Sequence, residues 1–102
     1  MTCIRFALLG SGFIGQVHAA SLARHERTLL AMVADADPER AKALASRYGA
    51  RAVTVAEAIN SDAIDAVLIA SSTPSHAALL EAAARAGKAV YCEKPIDLSL
   101  AR

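Results

Sequence analysis

The chain has no tryptophan, and aromatic residues make up only 4% of its 102 residues. Its formal net charge is +1. A charge this small leaves no basic footprint for a nucleic acid, so we expect no nucleic-acid partner. Apolar residues make up 55% of the chain, but no run reaches the roughly 18 residues that a membrane-spanning helix needs. We therefore expect no membrane partner.

The amino terminus lacks the pattern of a secretory signal. Met1–Arg5 shows no charged leader followed by an apolar region and a cleavage site of small residues. A cytoplasmic location is therefore expected. The two cysteines, Cys3 and Cys92, fall at the start of the first predicted strand and the end of the last. These positions lie a strand length apart, which is farther than the Cα separation of about 7 Å that a disulfide needs. Two buried or half-buried free thiols are therefore predicted.

Strands and helices alternate along the sequence. Continuous apolar runs, typical of strands covered on both faces, predict strands at 4–9, 29–34, 51–53, 66–70 and 89–92. Helices are predicted at 12–24, 38–48, 54–60 and 75–85, with the first turn of another at 97–102. This order predicts an α/β fold, a Rossmann-type doubly wound parallel sheet of about five strands in the order 3-2-1-4-5. The length allows one domain, spanning 1–102.

Local signals predict where the helices begin and end. Asp37 is a cap with Pro38 at the first helical position, and Gly49 suits the left-handed position after that helix. Thr54 and Glu57 have the spacing of a capping box. In the first helix, an apolar stripe at helical spacing is expected to face the sheet. It consists of Ile14, Val17, Ser21 and Leu22, with Ala19 and Ala20 beside it.

The segment Gly10-Ser11-Gly12-Phe13-Ile14-Gly15 lies between the first strand and the first helix. G-x-G-x-x-G alone is a weak signal, but here an acid follows about twenty residues later at the end of the second strand. Gly10 allows the tight turn, Gly12 leaves room for a pyrophosphate, and Gly15 lets the helix pack closely. The N–H groups of Gly12, Phe13 and Ile14 and the helix dipole favour phosphate. The alternative is a glycine turn without a ligand.

Asp35 ends the second predicted strand and is expected to accept hydrogen bonds from the adenosine ribose hydroxyls. A 2′-phosphate would meet a charge of the same sign there. Ala36 follows instead of an arginine, and Arg40 lies a turn into the next helix. NAD is therefore preferred over NADP. The alternatives for Asp35 are a plain loop acid or a second cap for the helix behind Asp37.

A second motif, Glu93-Lys94-Pro95, follows the fifth predicted strand. Parallel strands bring their carboxyl ends to one crevice, so this motif is expected to meet Gly10, Asp35 and the segment 71–74. A lysine there can bridge the nicotinamide ribose and a substrate hydroxyl, and its charge would favour a developing alkoxide. Pro95 restricts the backbone of Lys94 to an extended form. The alternative is a surface Glu-Lys pair, and the isomer of the Lys94–Pro95 bond is left open.

With these motifs, the chain resembles the glucose–fructose oxidoreductase/inositol dehydrogenase family, also called Gfo/Idh/MocA. The resemblance covers nearly the whole chain at the expected spacing. It is carried by Gly10–Gly15 with His18, Val33-Ala34-Asp35 with Pro38-Glu39-Arg40-Ala41, Ser72-Thr73-Pro74-Ser75-His76, and Gly87 through Pro95. The continuation Ile96-Asp97-Leu98 is most similar to the myo-inositol 2-dehydrogenase branch of that family.

The resemblance implies an NAD-dependent dehydrogenase that transfers hydride between a polyol or sugar CH–OH group and NAD. It implies that Lys94 is catalytic and contacts the cofactor, and that further residues bind the cofactor, namely Thr73, Pro74, His76 and Glu93. For His76, local packing at a helix start is the alternative. His18 and His25 are interpreted as structural, and no metal site is predicted.

The resemblance also implies a sixth strand in the nucleotide-binding domain and a second domain that carries the general base and the substrate pocket, and neither is found in this sequence. We therefore expect a truncated N-terminal part of a two-domain oxidoreductase that is inactive alone. Its unpaired fifth strand and bare apolar surface predict a homo-oligomer. One rival hypothesis is a stand-alone non-catalytic module that binds a nucleotide or CoA or senses redox state. Another is a structural interaction domain, which leaves the glycine turn and Asp35 unexplained.

Overall fold

The computed structural model describes residues 3–70 and 76–92. Within them, strands and helices alternate as the sequence predicts. The strands are β1 (Ile4–Leu9), β2 (Thr28–Ala34), β3 (Arg51–Val53), β4 (Ala66–Ile69) and β5 (Ala89–Cys92). The helices are α1 (Phe13–Arg24), α2 (Pro38–Tyr48), α3 (Val55–Asn60) and α4 (His76–Arg85). The helical turn predicted at 97–102 lies outside the described residues.

The five strands form one parallel sheet in the order β3-β2-β1-β4-β5. This confirms the predicted Rossmann-type topology. The strand order reverses beside β1. In such sheets, ligands bind in the crevice at the carboxyl ends of the strands on either side of that point. None of the described helices is long and apolar enough to cross a membrane. The cytoplasmic location and the lack of a nucleic-acid partner stay predictions.

The helix ends follow the predicted signals. The Asp37 carboxylate accepts a hydrogen bond from the backbone N–H of Glu39 at 3.0 Å, with Pro38 at the start of α2. Gly49 ends that helix with a φ of 72°, in the left-handed region. Thr54 and Glu57 form a reciprocal capping box at the start of α3. These local interactions fix the points where the chain turns back toward the sheet.

Each face of the sheet carries its own apolar core. The side chains of Phe6, Leu8 and Val33 pack with α1 and α2 on one face. Those of Leu9 and Ile69 pack with α3 and α4 on the other. The alternation follows from the period of two along a strand, and coverage on both faces explains why the strands read as continuous apolar runs.

The buried stripe of α1 differs from the predicted one. Gly15, Ala19 and Leu22 are buried, whereas Ile14 and Val17 are 43% and 47% exposed. A Cβ atom placed on Gly15 would lie 2.1 Å from the Gly10 carbonyl oxygen. The helix therefore turns Gly15 toward the sheet, because a larger residue at that position would not allow this approach. The prediction that Ile14, Val17 and Ser21 belong to the buried stripe was wrong, whereas Leu22 and the neighbouring Ala19 are buried.

Cys3 also differs from expectation, because it is exposed rather than buried. It precedes β1 at the amino end of the sheet, where its thiol donates to the Glu26 carbonyl oxygen at 3.7 Å. The position lies just before the part of the strand that the helices cover, which explains its exposure. The side chain of Cys92 lies outside the described residues.

Candidate functional site

The glycine turn joins β1 to α1 and is attached to β2. Gly10 has a φ of 111°, which glycine adopts with little strain and other residues rarely adopt. Its N–H donates to the Ala34 carbonyl oxygen at 2.8 Å. The turn therefore extends the pairing of β1 with β2 by one hydrogen bond and then leaves the sheet. This brings the start of α1 beside the carboxyl end of β2.

The other two glycines of the motif meet different demands. Gly15 faces inward, where its missing side chain allows contact with the Gly10 carbonyl. Gly12 caps α1 without a side-chain hydrogen bond, and a Cβ placed on it would have no described atom within 4 Å. The protein's own packing therefore requires a glycine at position 15 but not at position 12. The space in front of Gly12 is open to a ligand.

Asp35 follows β2 and connects three segments of backbone. One carboxylate oxygen, Oδ2, accepts from both the backbone N–H and the hydroxyl of Ser11, each at 2.7 Å. The other oxygen, Oδ1, accepts from the N–H of Asp37 at 2.8 Å. The last contact joins residues two apart and forms the local turn expected if Asp35 acts as a second cap for α2. The contacts with Ser11 bring the acid directly against the glycine turn.

These contacts keep the acid ionised. Burial by itself would raise the pKa of Asp35, but the hydrogen bonds from Asp37 and Ser11 stabilise the charged form. The positive charge of Arg40 acts in the same direction. Together they hold the pKa of Asp35 below its ordinary value. The site therefore presents a fixed negative charge at neutral pH.

A cleft of about 460 Å³ opens between the glycine turn and the end of β2. Gly10, Gly12 and Asp35 line it, as the sequence predicts for a nucleotide site. The remaining wall is mostly apolar and comes from several elements: Leu9, Ser11, Ala34, Ala36, Arg40, Val55, Ala70 and Leu79. An elongated ligand with charged and apolar parts suits this combination of surfaces.

The structure brings only part of the predicted site together. Phe13 lines a neighbouring hollow between α1 and α2 and is 77% exposed, and Ile14 is partly exposed on α1. His76 is the first residue of α4, and its side chain lies outside the described residues. So do the predicted residues Thr73, Pro74, Glu93 and Lys94 and the following Pro95.

Sequence reasoning assigned no role to several residues of the cleft. Ser11 stood in view inside the glycine motif, but nothing in its spacing shows that its hydroxyl reaches Asp35. Arg40 lines both the cleft and the neighbouring hollow, and its positive charge acts on Asp35. Val55 and Leu79 arrive from α3 and α4 through tertiary packing and carry no local signal. Among the described residues there is no group of three or more side chains that could hold a metal ion.

The fold and this cleft define a dinucleotide-binding α/β domain. Residues 4–102 match the family model GFO_IDH_MocA, described as an oxidoreductase family with an NAD-binding Rossmann fold. The chain therefore belongs to that family, as its motifs indicated.

Among relatives, the inositol 2-dehydrogenase of Rhizobium meliloti strain 1021 is 50% identical over 100 residues, covering 97% of this chain and 30% of that protein. A myo-inositol dehydrogenase structure from Corynebacterium glutamicum is 40% identical with a TM-score of 0.85, covering 90% of this chain and 28% of the other. The structure of GenD2 from gentamicin A biosynthesis in complex with NAD is 34% identical with a TM-score of 0.89, covering 93% and 28%. The chain thus spans about 30% of the length of the inositol 2-dehydrogenase.

Proposed function

We propose that this chain is the NAD-binding part of a dehydrogenase that acts on the CH–OH group of a polyol, with myo-inositol as the substrate. The observation that carries the proposal is the cleft shared by Gly10, Gly12 and Asp35. The similarity to inositol 2-dehydrogenases supports the substrate. We further propose that the chain is the N-terminal part of a longer two-domain protein, since the relatives are more than three times its length.

The residues of the cleft fit the cofactor. The open space at Gly12 leaves room for a pyrophosphate in front of the N–H groups that begin α1, including those of Phe13 and Ile14. Asp35 lines the same cleft, where a ribose hydroxyl would donate to it. The apolar wall that includes Val55 and Leu79 suits the flat adenine ring. NAD, when bound, supplies the acceptor for the hydride that leaves the substrate carbon.

A preference for NAD over NADP forms part of this proposal. The fixed negative charge of Asp35 opposes a 2′-phosphate, because like charges repel more strongly in a partly buried site. Arg40 lies in the same wall but close to an acid of its own, since its Nε is 4.0 Å from Asp37. The carboxylate therefore dominates recognition of the ribose.

The catalytic assignment rests on the sequence motif and the family. We propose that Lys94 contacts the nicotinamide ribose and the substrate hydroxyl, where its positive charge favours a developing alkoxide. Thr73, Pro74, His76 and Glu93 are proposed to line the cofactor. A general base is expected from the second domain.

NAD binding and turnover of myo-inositol by the 102-residue chain test the proposal. NAD should bind with a micromolar to millimolar dissociation constant in equilibrium dialysis, because the first-domain contacts are present. Incubation with NAD and myo-inositol should give no sustained rise of absorbance from reduced cofactor, because the general base is absent. A purified inositol 2-dehydrogenase serves as the positive control. Sustained turnover by the chain alone would contradict the assignment of the base to a second domain.

A stand-alone module that binds a nucleotide without chemistry is the second candidate. It shares the cleft of Gly10, Gly12 and Asp35, which by itself can hold a nucleotide without catalysing a reaction. The two candidates differ in one observable. Extension of the genomic reading frame into a second α/β domain supports the dehydrogenase, whereas a stop codon after residue 102 supports the module.

We also propose that the chain associates with a second copy of itself. Gln16 lines the hollow between α1 and α2. Because residues two apart on a helix point in nearly opposite directions, Ile14 lies on the other flank of α1. The sheet face on that side carries Tyr91 of β5, which is 50% exposed and stacks at a tilt on Phe6. No described strand pairs with the outer edge of β5. An edge without a described neighbour, together with exposed apolar side chains, favours association.

Sedimentation velocity tests the self-association. The wild-type chain should shift from monomer to dimer as its concentration rises. The variant Tyr91→Lys should stay monomeric to a concentration at least about tenfold higher, because a charge on the shared face opposes burial. Leu29→Lys is the matched control, since Leu29 is also 50% exposed but lies on β2. A wild-type chain that remains a monomer at millimolar concentration would refute the proposal.

A further inference from the structure

Ser11 is the one buried polar side chain among the described residues, with only 4% of its surface exposed. It occupies the first variable position of the glycine motif, between Gly10 and Gly12. The glycine pattern itself requires no particular side chain there. A buried hydroxyl needs a partner, and this one donates to Asp35 Oδ2 at 2.7 Å.

The hydrogen bonds of Asp35 leave little of its carboxylate available. An ionised carboxylate has about four acceptor positions in its plane, two on each oxygen. Ser11 fills both positions on Oδ2 with its N–H and its hydroxyl. The N–H of Asp37 takes one position on Oδ1. One acceptor position therefore remains, and it lies on Oδ1.

We propose that Ser11 is a positioning residue for cofactor selection, which holds the Asp35 carboxylate so that Oδ1 alone meets the adenosine ribose. This inference rests on the proposed function, because it assumes that NAD occupies the cleft. Ser11 acts through Asp35 and has no contact of its own with the ribose in this arrangement. Because the hydroxyl already fixes the orientation of the Asp35 carboxylate, less conformational entropy is lost when the nucleotide binds.

The same contact explains discrimination against a 2′-phosphate. A carboxylate free to rotate can turn away from a phosphate and lessen the repulsion between them. With Oδ2 fixed by two donors from the glycine turn and Oδ1 by the loop that begins α2, the carboxylate cannot rotate without breaking hydrogen bonds. Its charge therefore stays in the path of the 2′-phosphate.

The first test compares dissociation constants for NAD and NADP in three variants by equilibrium dialysis. Ser11→Ala should weaken NAD about fivefold, whereas NADP should bind no more weakly than to the wild type because the freed carboxylate opposes its 2′-phosphate less, so that the preference for NAD falls at least about fivefold. Ser11→Thr keeps the hydroxyl and should restore most of the preference. Ser46→Ala removes an exposed serine from α2 and should change neither constant.

The second test needs no ligand. The carboxyl carbon of Asp35, followed by NMR through a pH titration, reports how strongly its charged form is held. Ser11→Ala removes a hydrogen bond to that form, so the pKa of Asp35 should rise toward its ordinary value, while Ser11→Thr should leave it low. The other groups that act on this carboxylate are Arg40 and the backbone N–H groups of Asp37 and Ser11, and all three are unchanged in these variants.

The outcomes separate this inference from the proposed function. If the wild-type chain does not bind NAD, both fail. If it binds NAD and Ser11→Ala raises the pKa of Asp35 without changing the ratio of the two constants, positioning by Ser11 is overturned and the proposed function stands. Should the alanine variant fail to fold, Ser11→Cys replaces it, since a thiol is a weaker donor of similar size.

Discussion

Replacing Gly15 with alanine should destabilise the chain by about 3 kcal/mol, at the upper end of the range for overpacked sites. The added Cβ would lie 2.1 Å from the Gly10 carbonyl oxygen and 2.8 Å from its carbon. Both are backbone atoms of a turn held to β2, so neither can move aside as a flexible side chain would. For a domain of this size, the midpoint of thermal unfolding should fall by about 12 to 24 °C. Circular dichroism provides the measurement.

Gly12→Ala is the matched control for this change, and it separates packing from binding. The backbone of Gly12, with a φ of −72° and a ψ of −165°, is open to alanine, and no described atom lies within 4 Å of the new Cβ. Its unfolding midpoint should stay within about 4 °C of the wild-type value. NAD should nevertheless bind at least about tenfold more weakly, because the methyl group occupies the space proposed for the pyrophosphate. A Gly12→Ala chain that binds NAD as well as the wild type would place the phosphates elsewhere.

Asp35→Ala should reverse the cofactor preference. The change removes a charged hydrogen-bond acceptor, which is worth about 1.5 to 3 kcal/mol, so NAD should bind about 10- to 150-fold more weakly. It also removes the negative charge that opposes a 2′-phosphate and leaves Arg40 in the cleft wall, where its guanidinium suits a phosphate. NADP should therefore bind about tenfold more tightly than it does to the wild type. Calorimetric titration with each cofactor measures both effects.

Two controls accompany this variant. Asp62→Ala removes an exposed acid after α3 and should leave both affinities unchanged. Arg40→Ala combined with Asp35→Ala should abolish the gain in NADP affinity if the guanidinium is its source. The role assigned to Asp35 fails if the wild-type chain binds NADP more tightly than NAD, or if the ratio of the two affinities survives the substitution.

Much of the fold follows from local signals in the sequence. The strands were visible because burial on both faces makes them continuous apolar runs. The helix ends were visible because the caps Asp37 and Thr54 bond to backbone two and three residues further on. The stripe of α1 was predicted wrongly for a non-local reason. Apolar periodicity points to Ile14 and Val17, whereas contact with the Gly10 carbonyl requires the face that carries Gly15.

The candidate site was predictable only in its backbone. The motif and the spacing to Asp35 predicted that glycine turn and acid would meet, because parallel strands end at the same edge of the sheet. The contact of the Ser11 hydroxyl with that acid depends on how the glycine turn lies against β2, and the apolar wall that Val55 and Leu79 provide depends on how separate helices pack. Such contacts have no spacing rule in one sequence. The hydroxyl of Ser11 was therefore missed although it lies inside the motif.

The central claim is that a dinucleotide lies with its phosphates at the start of α1 and its ribose at Asp35. Titration of the ¹⁵N-labelled chain with NAD, followed by amide NMR, tests this directly. The amide signals of Gly12, Phe13 and Ile14 should shift together with those of Ser11 and Asp37, which hydrogen-bond Asp35, and all should saturate at one NAD concentration. Unchanged signals at these five amides at saturating NAD, or shifts confined to amides of α3 and α4, would contradict the account.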